Sequence, residues 1–302
     1  MKKNLNSWKG CFTAVITPFK KNGDLDRKAF CRNLELLVEE GLDGVVIAGC
    51  TGESWLLSDE EKKELFRLSV DQIKGRMTVI GGASQITAEA TIPLCQYAKK
   101  VGMDGVMILA PPMVHPNARE IYTYFETISD AVDMPILLYN NPRRQGVDLV
   151  PEIIRHLVRI KNIVAIKEAS KDFMRVSEVI RLVGNKVRVF AGHSSMQGVQ
   201  AVVMGAVGWV GSLDTQILGK EAIDMYDLVE KGEIEKAIKI QYKCIALEQG
   251  MKGKQAGTFP AGLKYAMNLR NRPGGYPRKP ILPLTEQEKQ YVKSLLRQLN
   301  LL

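Results

Sequence analysis

An eightfold alternation of short apolar runs with amphipathic helical stretches spans the first 230 residues. It constrains the fold more than any other feature of the chain. The runs are Phe12–Thr17, Gly44–Ala48, Met77–Ile80, Gly105–Leu109, Pro135–Tyr139, Ile163–Lys167, Val187–Phe190 and Val207–Val210. They are apolar throughout rather than at every second residue, the mark of parallel strands covered on both faces. Between them, residues 26–40 place Phe30, Leu34, Leu37 and Val38 on one stripe, as a core-facing helix requires. Further helices are expected over 58–74, 87–101, 118–132, 150–158, 173–183, 195–204 and 218–231. Ser58 and Glu61 form a capping box at the start of the second. Gly41, Gly75, Gly102, Gly184 and Gly205 stand where left-handed C-caps are expected. Eight strand–helix units predict an α/β fold, a closed (β/α)8 TIM barrel of about 250 residues. The rival is a doubly wound open sheet. That fold carries a glycine fingerprint after its first strand, where this chain has Thr17-Pro18-Phe19-Lys20.

The chain has 302 residues, more than the barrel needs. After Lys231 the strand signals stop. Residues 233–249, 261–269 and 285–299 read as helices, with a Pro/Gly-rich link from Arg272 to Pro280. The expected division is a catalytic barrel over 1–231 and a C-terminal helical extension over 232–302.

Hydrophobic residues make up 45% and charged residues 25%, which excludes a disordered or low-complexity chain. No apolar run approaches the ~20 residues of a membrane helix. Met1–Lys9 carries basic residues with no apolar stretch behind them, so no secretory signal is expected and the cytoplasm is the expected location. The five cysteines are scattered and include no Cys-x-x-Cys pair. They predict reduced thiols rather than a disulfide framework or zinc ribbon. The net charge is +9, and residues 251–302 hold ten Lys/Arg against two Asp/Glu. These cations alternate with core-like Leu263, Tyr265, Ala266 and Leu269, so they read as a solvated helix face and not as a nucleic-acid surface. No membrane or nucleic-acid partner is expected, only a small-molecule substrate.

A barrel of this kind gathers its chemistry at the C-terminal ends of the strands. Lys167 ends the apolar run Ile163-Val164-Ala165-Ile166. Burial there disfavours the ammonium, and a neutral amine attacks a carbonyl to give a Schiff base. The plainer alternative is a rim lysine paired with Glu168 or reaching solvent. Gly49-Cys50-Thr51-Gly52-Glu53 forms a strand-to-helix turn whose amides and hydroxyl suit a carboxylate, although Thr51 could bond only locally. Tyr139 ends the fifth run beside Lys167 in strand order. Its phenol could relay protons or be a satisfied core hydroxyl. Arg144 follows on the loop and suits a second carboxylate, unless Arg143 and Arg144 are merely surface cations. His115 and His193 fall on loops at the same end, where either could touch the distal part of a substrate. His156 falls mid-helix and reads as structural. The histidines lack metal-site spacing, so neither a metal nor a cofactor is expected.

Taken together, these strand ends resemble the dihydrodipicolinate synthase / N-acetylneuraminate lyase family of class I, Schiff-base-forming lyases. The resemblance runs from Ala14-Val15-Ile16-Thr17-Pro18-Phe19 through residues 49–54, 139–146 and 166–169 to the helical tail. It implies a (β/α)8 barrel with three C-terminal helices and a homotetramer built as a dimer of dimers. It implies that Lys167 is the imine-forming lysine and Tyr139 the proton-shuttling tyrosine. It further implies that Thr51 binds the 2-oxo acid carboxylate, Arg144 the second substrate's carboxylate, and that Val210 contacts pyruvate. Two positions depart from the synthase pattern. Cys50 stands where the synthases relay protons through a threonine, and a thiol is a weaker donor. Met113 stands where they carry a tyrosine in the strand-4 loop. The run Tyr139-Asn140-Asn141-Pro142 looks more like members acting on sugar-derived or hydroxyproline-derived 2-oxo acids.

The leading expectation is therefore a lyase acting on pyruvate or a related 2-oxo acid, as an aldolase, dehydratase or deaminase. The alternatives are a true 4-hydroxy-tetrahydrodipicolinate synthase, an inactive or regulatory barrel, and a phosphate-binding barrel enzyme resting on Gly192-His193-Ser194-Ser195 ahead of a helix.

Overall fold

A computed structural model describes residues 7–302, so the reading of Met1–Lys9 falls mostly outside the described residues. Eight strands close into a parallel barrel in chain order: β1 (Gly10–Ala14), β2 (Gly44–Ile47), β3 (Thr78–Gly82), β4 (Gly105–Leu109), β5 (Ile136–Asn140), β6 (Ile163–Glu168), β7 (Arg188–Ala191) and β8 (Gly208–Gly211). Closure runs from Gly10 against Gly208 to Thr13 against Gly211. Only glycine fits at 208, because a Cβ there would stand 2.0 Å from the Gly10 carbonyl oxygen.

Helices cover the outside: α1 (Arg27–Glu39), α2 (Asp59–Ile73), α3 (Ala88–Val101), α4 (Ala118–Ala131), α5 (Pro142–Gln145), α6 (Pro151–Leu157), α7 (Phe173–Val183), α8 (Ser194–Val203), α9 (Leu213–Leu218) and α10 (Lys220–Glu230). The capping box at Ser58 is present in both directions. Two local expectations fail for backbone reasons. The helix expected over 218–231 is α10 alone, preceded by α9, and the break falls at Gly219 with φ +64°. Gly184 does not take the left-handed cap that Gly41, Gly75, Gly102 and Gly205 take. The chain continues right-handed there, with the Gly184 and Val187 amides still donating to the carbonyls of Ile180 and Val183.

Inside the barrel, side chains from every strand meet, as the two-residue strand period dictates. Phe12 and Phe190 touch across it, ring centroids 5.0 Å apart. Trp8 lies against Gly105 at the N-terminal end. Val46, Ile80, Met107 and Leu137 belong to the same cluster. Each such side chain contributes roughly 1.5–3 kcal/mol by leaving water. At the other end this apolar column gives way to Tyr139, Lys167 and an open cavity.

Beyond the barrel lie α11 (Ile234–Met251), α12 (Phe259–Leu269) and α13 (Glu286–Gln298). Ile16, Leu213 and Ile217 share one apolar cluster with Cys244, Leu263 and Val292 of these helices. Three of the tail's cations point inward rather than into solvent, a correction to the solvated-face reading. Arg272 pairs with Glu40, Arg278 with Glu61, and Lys264 with Glu53. Acidic residues of the barrel side draw these cations in. No described helix is long and apolar enough to cross a membrane. All five cysteines are unpaired.

Candidate active site

The cavity at the C-terminal end of the strands has a volume of about 520 Å³. Cys50, Thr51, Tyr139, Arg144, Lys167 and Val210 all line it. Each of the six residues singled out in the sequence therefore faces the same space.

Lys167 sits in register with Tyr139 on β5 and Phe190 on β7. Consecutive strand residues point to opposite faces, so Lys167 turns inward while Glu168 turns out. Glu168 accepts from the Asn140 side chain at 2.9 Å and from the Ser170 amide at 2.7 Å. The alternative of a Lys167–Glu168 pair is thereby removed. No carboxylate lies within ion-pairing distance of Lys167 among the described residues. Its ammonium nitrogen stands 4.5 Å from the Tyr139 ring centroid. The residue is 5% exposed, and burial lowers its pKa to about 8, opposed weakly by Cys50. A substantial share of the amine is then neutral near pH 7–8, the state that a nucleophile needs.

Tyr139 accepts a hydrogen bond from the Asn141 amide at 2.8 Å. Its own proton is left to donate toward Cys50 or into the cavity. Burial, the largest influence, pushes the phenol well above its ordinary pKa, so it is a held proton and not a phenolate. Burial likewise raises the Cys50 thiol, against the pull of Lys167 and Arg144. Asn141 is a site residue that the sequence reading quoted without assigning a role. Its signal was its place two residues beyond Tyr139, just ahead of Pro142.

The turn after β2 is held from three sides. Ala48 and Glu53 take left-handed backbone, with φ +53° and +57°. The Thr17 hydroxyl donates to the Gly52 carbonyl at 2.7 Å. The Glu53 carboxylate is fully buried against Lys264 of α12, and Lys264 stands 4.4 Å over the Phe19 ring. Within the turn, the Glu53 and Ser54 amides donate to the Cys50 and Gly49 carbonyls, and Thr51 lines the cavity. Val210, at the end of β8, supplies an apolar wall. Arg144 lies on α5, its guanidinium 6.0 Å from the Trp55 ring.

The histidines divide. His193 lines the cavity, its Nε2 3.0 Å from the Ala169 carbonyl oxygen. Burial lowers its pKa to about 3, so it is neutral at any ordinary pH. His115 lies outside the cavity, its Nδ1 3.0 Å from the Gly146 carbonyl oxygen. His156 is in α6. Met113 is 78% exposed and does not line the cavity. The first turn of α8, the proposed phosphate cradle, already holds an anion: Ser195 donates to the Glu248 carboxylate.

Among the charged residues of the cavity, Lys171, Asp214, Glu248 and Lys252 carried no sequence signal strong enough to single them out. Lys171 sits on the loop after β6, and Glu248 and Lys252 come from the end of α11. The α11 pair reach the site only because the tail folds back over the barrel.

The sequence matches the profile of the Dihydrodipicolinate synthetase family over residues 7–299. A 4-hydroxy-tetrahydrodipicolinate synthase of Oceanobacillus iheyensis is 34% identical over 284 residues, covering 94% of this chain and 95% of that one. A crystal structure of a dihydrodipicolinate synthase from Bacillus anthracis superposes with a TM-score of 0.90 at 31% identity, covering 96% and 97% of the two chains. YagE, a prophage protein of the same family from Escherichia coli K12, solved with pyruvate, gives a TM-score of 0.92 at 26% identity over 98% and 99%.

Proposed function

The chain belongs to the dihydrodipicolinate synthetase family and is a class I lyase for pyruvate or a related 2-oxo acid; from that premise we propose that Lys167 is its imine-forming amine. The observation that carries this is a buried lysine with no carboxylate partner, facing a cavity beside a protonated phenol. The neutral amine adds to the 2-carbonyl, and the oxygen leaves as water with a proton from Tyr139. The protonated imine then draws electrons from C3. The Tyr139 phenolate left by that transfer takes the C4 hydroxyl's proton as the C3–C4 bond breaks, the electrons passing through C3 to the imine nitrogen. Alternatively it takes a proton from C3, so that the resulting enamine expels a group from C4. Thr51 and the turn amides hold the C1 carboxylate, Val210 packs against the acid's carbon chain, and Arg144 takes a distal anion. Cys50 is the partner that a synthase fills with a hydroxyl.

We place the reaction on the cleaving side: an aldolase, dehydratase or deaminase. Tyr139 has an amide and a thiol as its partners, and Met113 stands outside the cavity, so the outward relay that a condensation with aspartate semialdehyde uses has no hydroxyl on either side. The second reading, a true synthase, is favoured by Arg144 in the cavity and by the names of the relatives. The deciding assay is turnover of pyruvate with aspartate semialdehyde, using Lys167→Ala as the blank. Absence of turnover from folded protein is the expected result, and clear Lys167-dependent turnover would establish the synthase instead. Borohydride trapping of pyruvate on the wild type but not on Lys167→Ala checks the imine itself; trapping in both would refute the assignment. Our reading also includes cytoplasmic action, supported by five unpaired thiols, a homotetramer as in the family, and a helical extension over 232–302 distinct from the barrel over 1–231.

A further inference from the structure

Besides Arg144, the cavity is lined by cations to which the chemistry at Lys167 gives no role. Arg143 and Arg144 reach it from α5, Lys171 from the loop after β6, and Lys252 from the end of α11. Three segments far apart in sequence thus bring four cations to one wall. Two carboxylates line the same cavity: Glu248, which touches Lys252 and accepts from Ser195, and Asp214, which is buried just beyond β8 with its pKa raised by that burial. Burial first, and then Lys171 beside it with Arg143 and Arg144, lower the pKa of Lys252 to about 7. Like charges crowded around a cavity raise the local concentration of anions, and the arginine fork matches carboxylate or phosphate oxygens. The space also exceeds the need of a three-carbon acid, since volumes of roughly 300–1,000 Å³ serve drug-sized ligands.

We propose that Lys171 and Lys252, together with Arg143 and Arg144, form a subsite for a second oxyanion, a carboxylate or phosphate ester at the far end of the 2-oxo acid, with no ammonium beside it. The inference rests on the reading of this cavity as the 2-oxo acid site. It extends that reading from one arginine to a four-cation wall. A substrate bearing an amino group next to its distal carboxylate would bring a fifth cation into the cluster. The wall therefore selects for acids whose far end is anionic only.

Two matched pairs of acids test this. One is 2-oxoglutarate against 2-oxopentanoate, which has the same chain with an uncharged end. The other is a six-carbon 2-oxo-3-deoxy sugar acid bearing a terminal phosphate, against its unphosphorylated parent. Borohydride trapping gives the concentration at which each forms an imine. The anion-tailed member of at least one pair should trap at about tenfold lower concentration, the scale of a charge-assisted contact. The pair with the larger ratio identifies the oxyanion. In Lys171→Met/Lys252→Met the ratio should fall toward one. Equal trapping within both pairs in the wild type, or a ratio that survives the double variant, overturns the proposal. If that variant does not fold, added potassium chloride on the wild type decides: a charge-built preference shrinks with salt, and one indifferent to salt rejects the subsite. Calorimetric titration of the same acids into Lys167→Ala separates the two readings. A charge preference there, with no trapping in the wild type, would strike Lys167 and keep the subsite. Trapping in the wild type without any preference would do the reverse.

Discussion

Lys167, which we propose as the imine-forming amine, is held in the barrel at the expense of stability. Its pKa is lowered to about 8 by burial, so between that value and the ordinary lysine range the unfolded chain binds more protons than the folded one. Stability then rises with pH through this window and is lost as pH falls toward 8. Replacing Lys167 by Met removes the penalty. The variant should be more stable than the wild type at pH 7 by about 2–3 kcal/mol, and the gain should vanish above the ordinary lysine pKa. Denaturant melts at both pH values check this, and an unchanged or lower midpoint at pH 7 would contradict it. The same titration governs the rate. kcat/KM should climb as the amine deprotonates and level off above pH 8 or so, because the neutral form attacks. Tyr139 is the complementary group, its proton held by burial and its oxygen fixed by Asn141. Tyr139→Phe should lower kcat by about 10²–10⁴ and slow the borohydride trapping of pyruvate without abolishing it, because the phenol supplies the proton with which water leaves. Trapping as fast as in the wild type would mean that the phenol acts only after the imine has formed.

At the scale of elements, the barrel is visible in the sequence because parallel strands must be apolar on both faces and so stand out as uninterrupted runs. Every strand overlaps such a run, with ends that agree within two residues except at β1, whose run extends three residues past the strand. The early end of β1 has a local cause: the Val15 amide still donates to Val46 of β2, but the Ile16 amide donates to the Gln216 side chain instead of to a strand. The split between α9 and α10 was not legible, since one glycine inside an amphipathic pattern is a weak signal until its backbone is seen at φ +64°. Lys167 and Tyr139 were readable as polar ends of apolar runs, and Val210 through the family resemblance; the two-residue strand period is what aims them inward. Asn141, Lys171 and Lys252 lie on loops or on the tail, where no period exists to aim them. The β2 turn adds a device that only the fold reveals, the buried pair of Glu53 with Lys264. Burial pushes Glu53 up and Lys264 down, and each partner's charge opposes this. Lys264→Met leaves a buried carboxylate alone, which costs about 3–5 kcal/mol. We expect a lower melting temperature and a raised KM for the 2-oxo acid, because Glu53 ends the turn that carries Thr51. Adding Glu53→Gln should recover most of the lost stability. A single variant that melts like the wild type would show that the pair does not hold the turn.

Across the whole molecule, the tail's surplus of positive charge is distributed rather than gathered. Lys264, Arg272 and Arg278 reach back to Glu53, Glu40 and Glu61, and the remaining excess gathers in part at the cavity mouth through Lys252. A tail built as an independent appendage would bury its own apolar face and meet the barrel through a polar, dispensable surface. Here Ile16, Leu213 and Ile217 share a cluster with Cys244, Leu263 and Val292, and α11 seals α8 through Gln241, whose side chain accepts from the Val199 amide and donates to the Ser194 carbonyl. A chain ending at residue 231 would expose that apolar cluster and leave Glu53 buried without its partner. It should accumulate as aggregate when expressed. The full chain should unfold in one transition, with the same midpoint by near-ultraviolet circular dichroism and by fluorescence of Trp209, observed after Trp8 and Trp55 are replaced by Phe. Two separated midpoints, or a soluble and cooperative 1–231 fragment, would show instead that barrel and extension are separate folding units, and the site would then be assembled by docking rather than by one core.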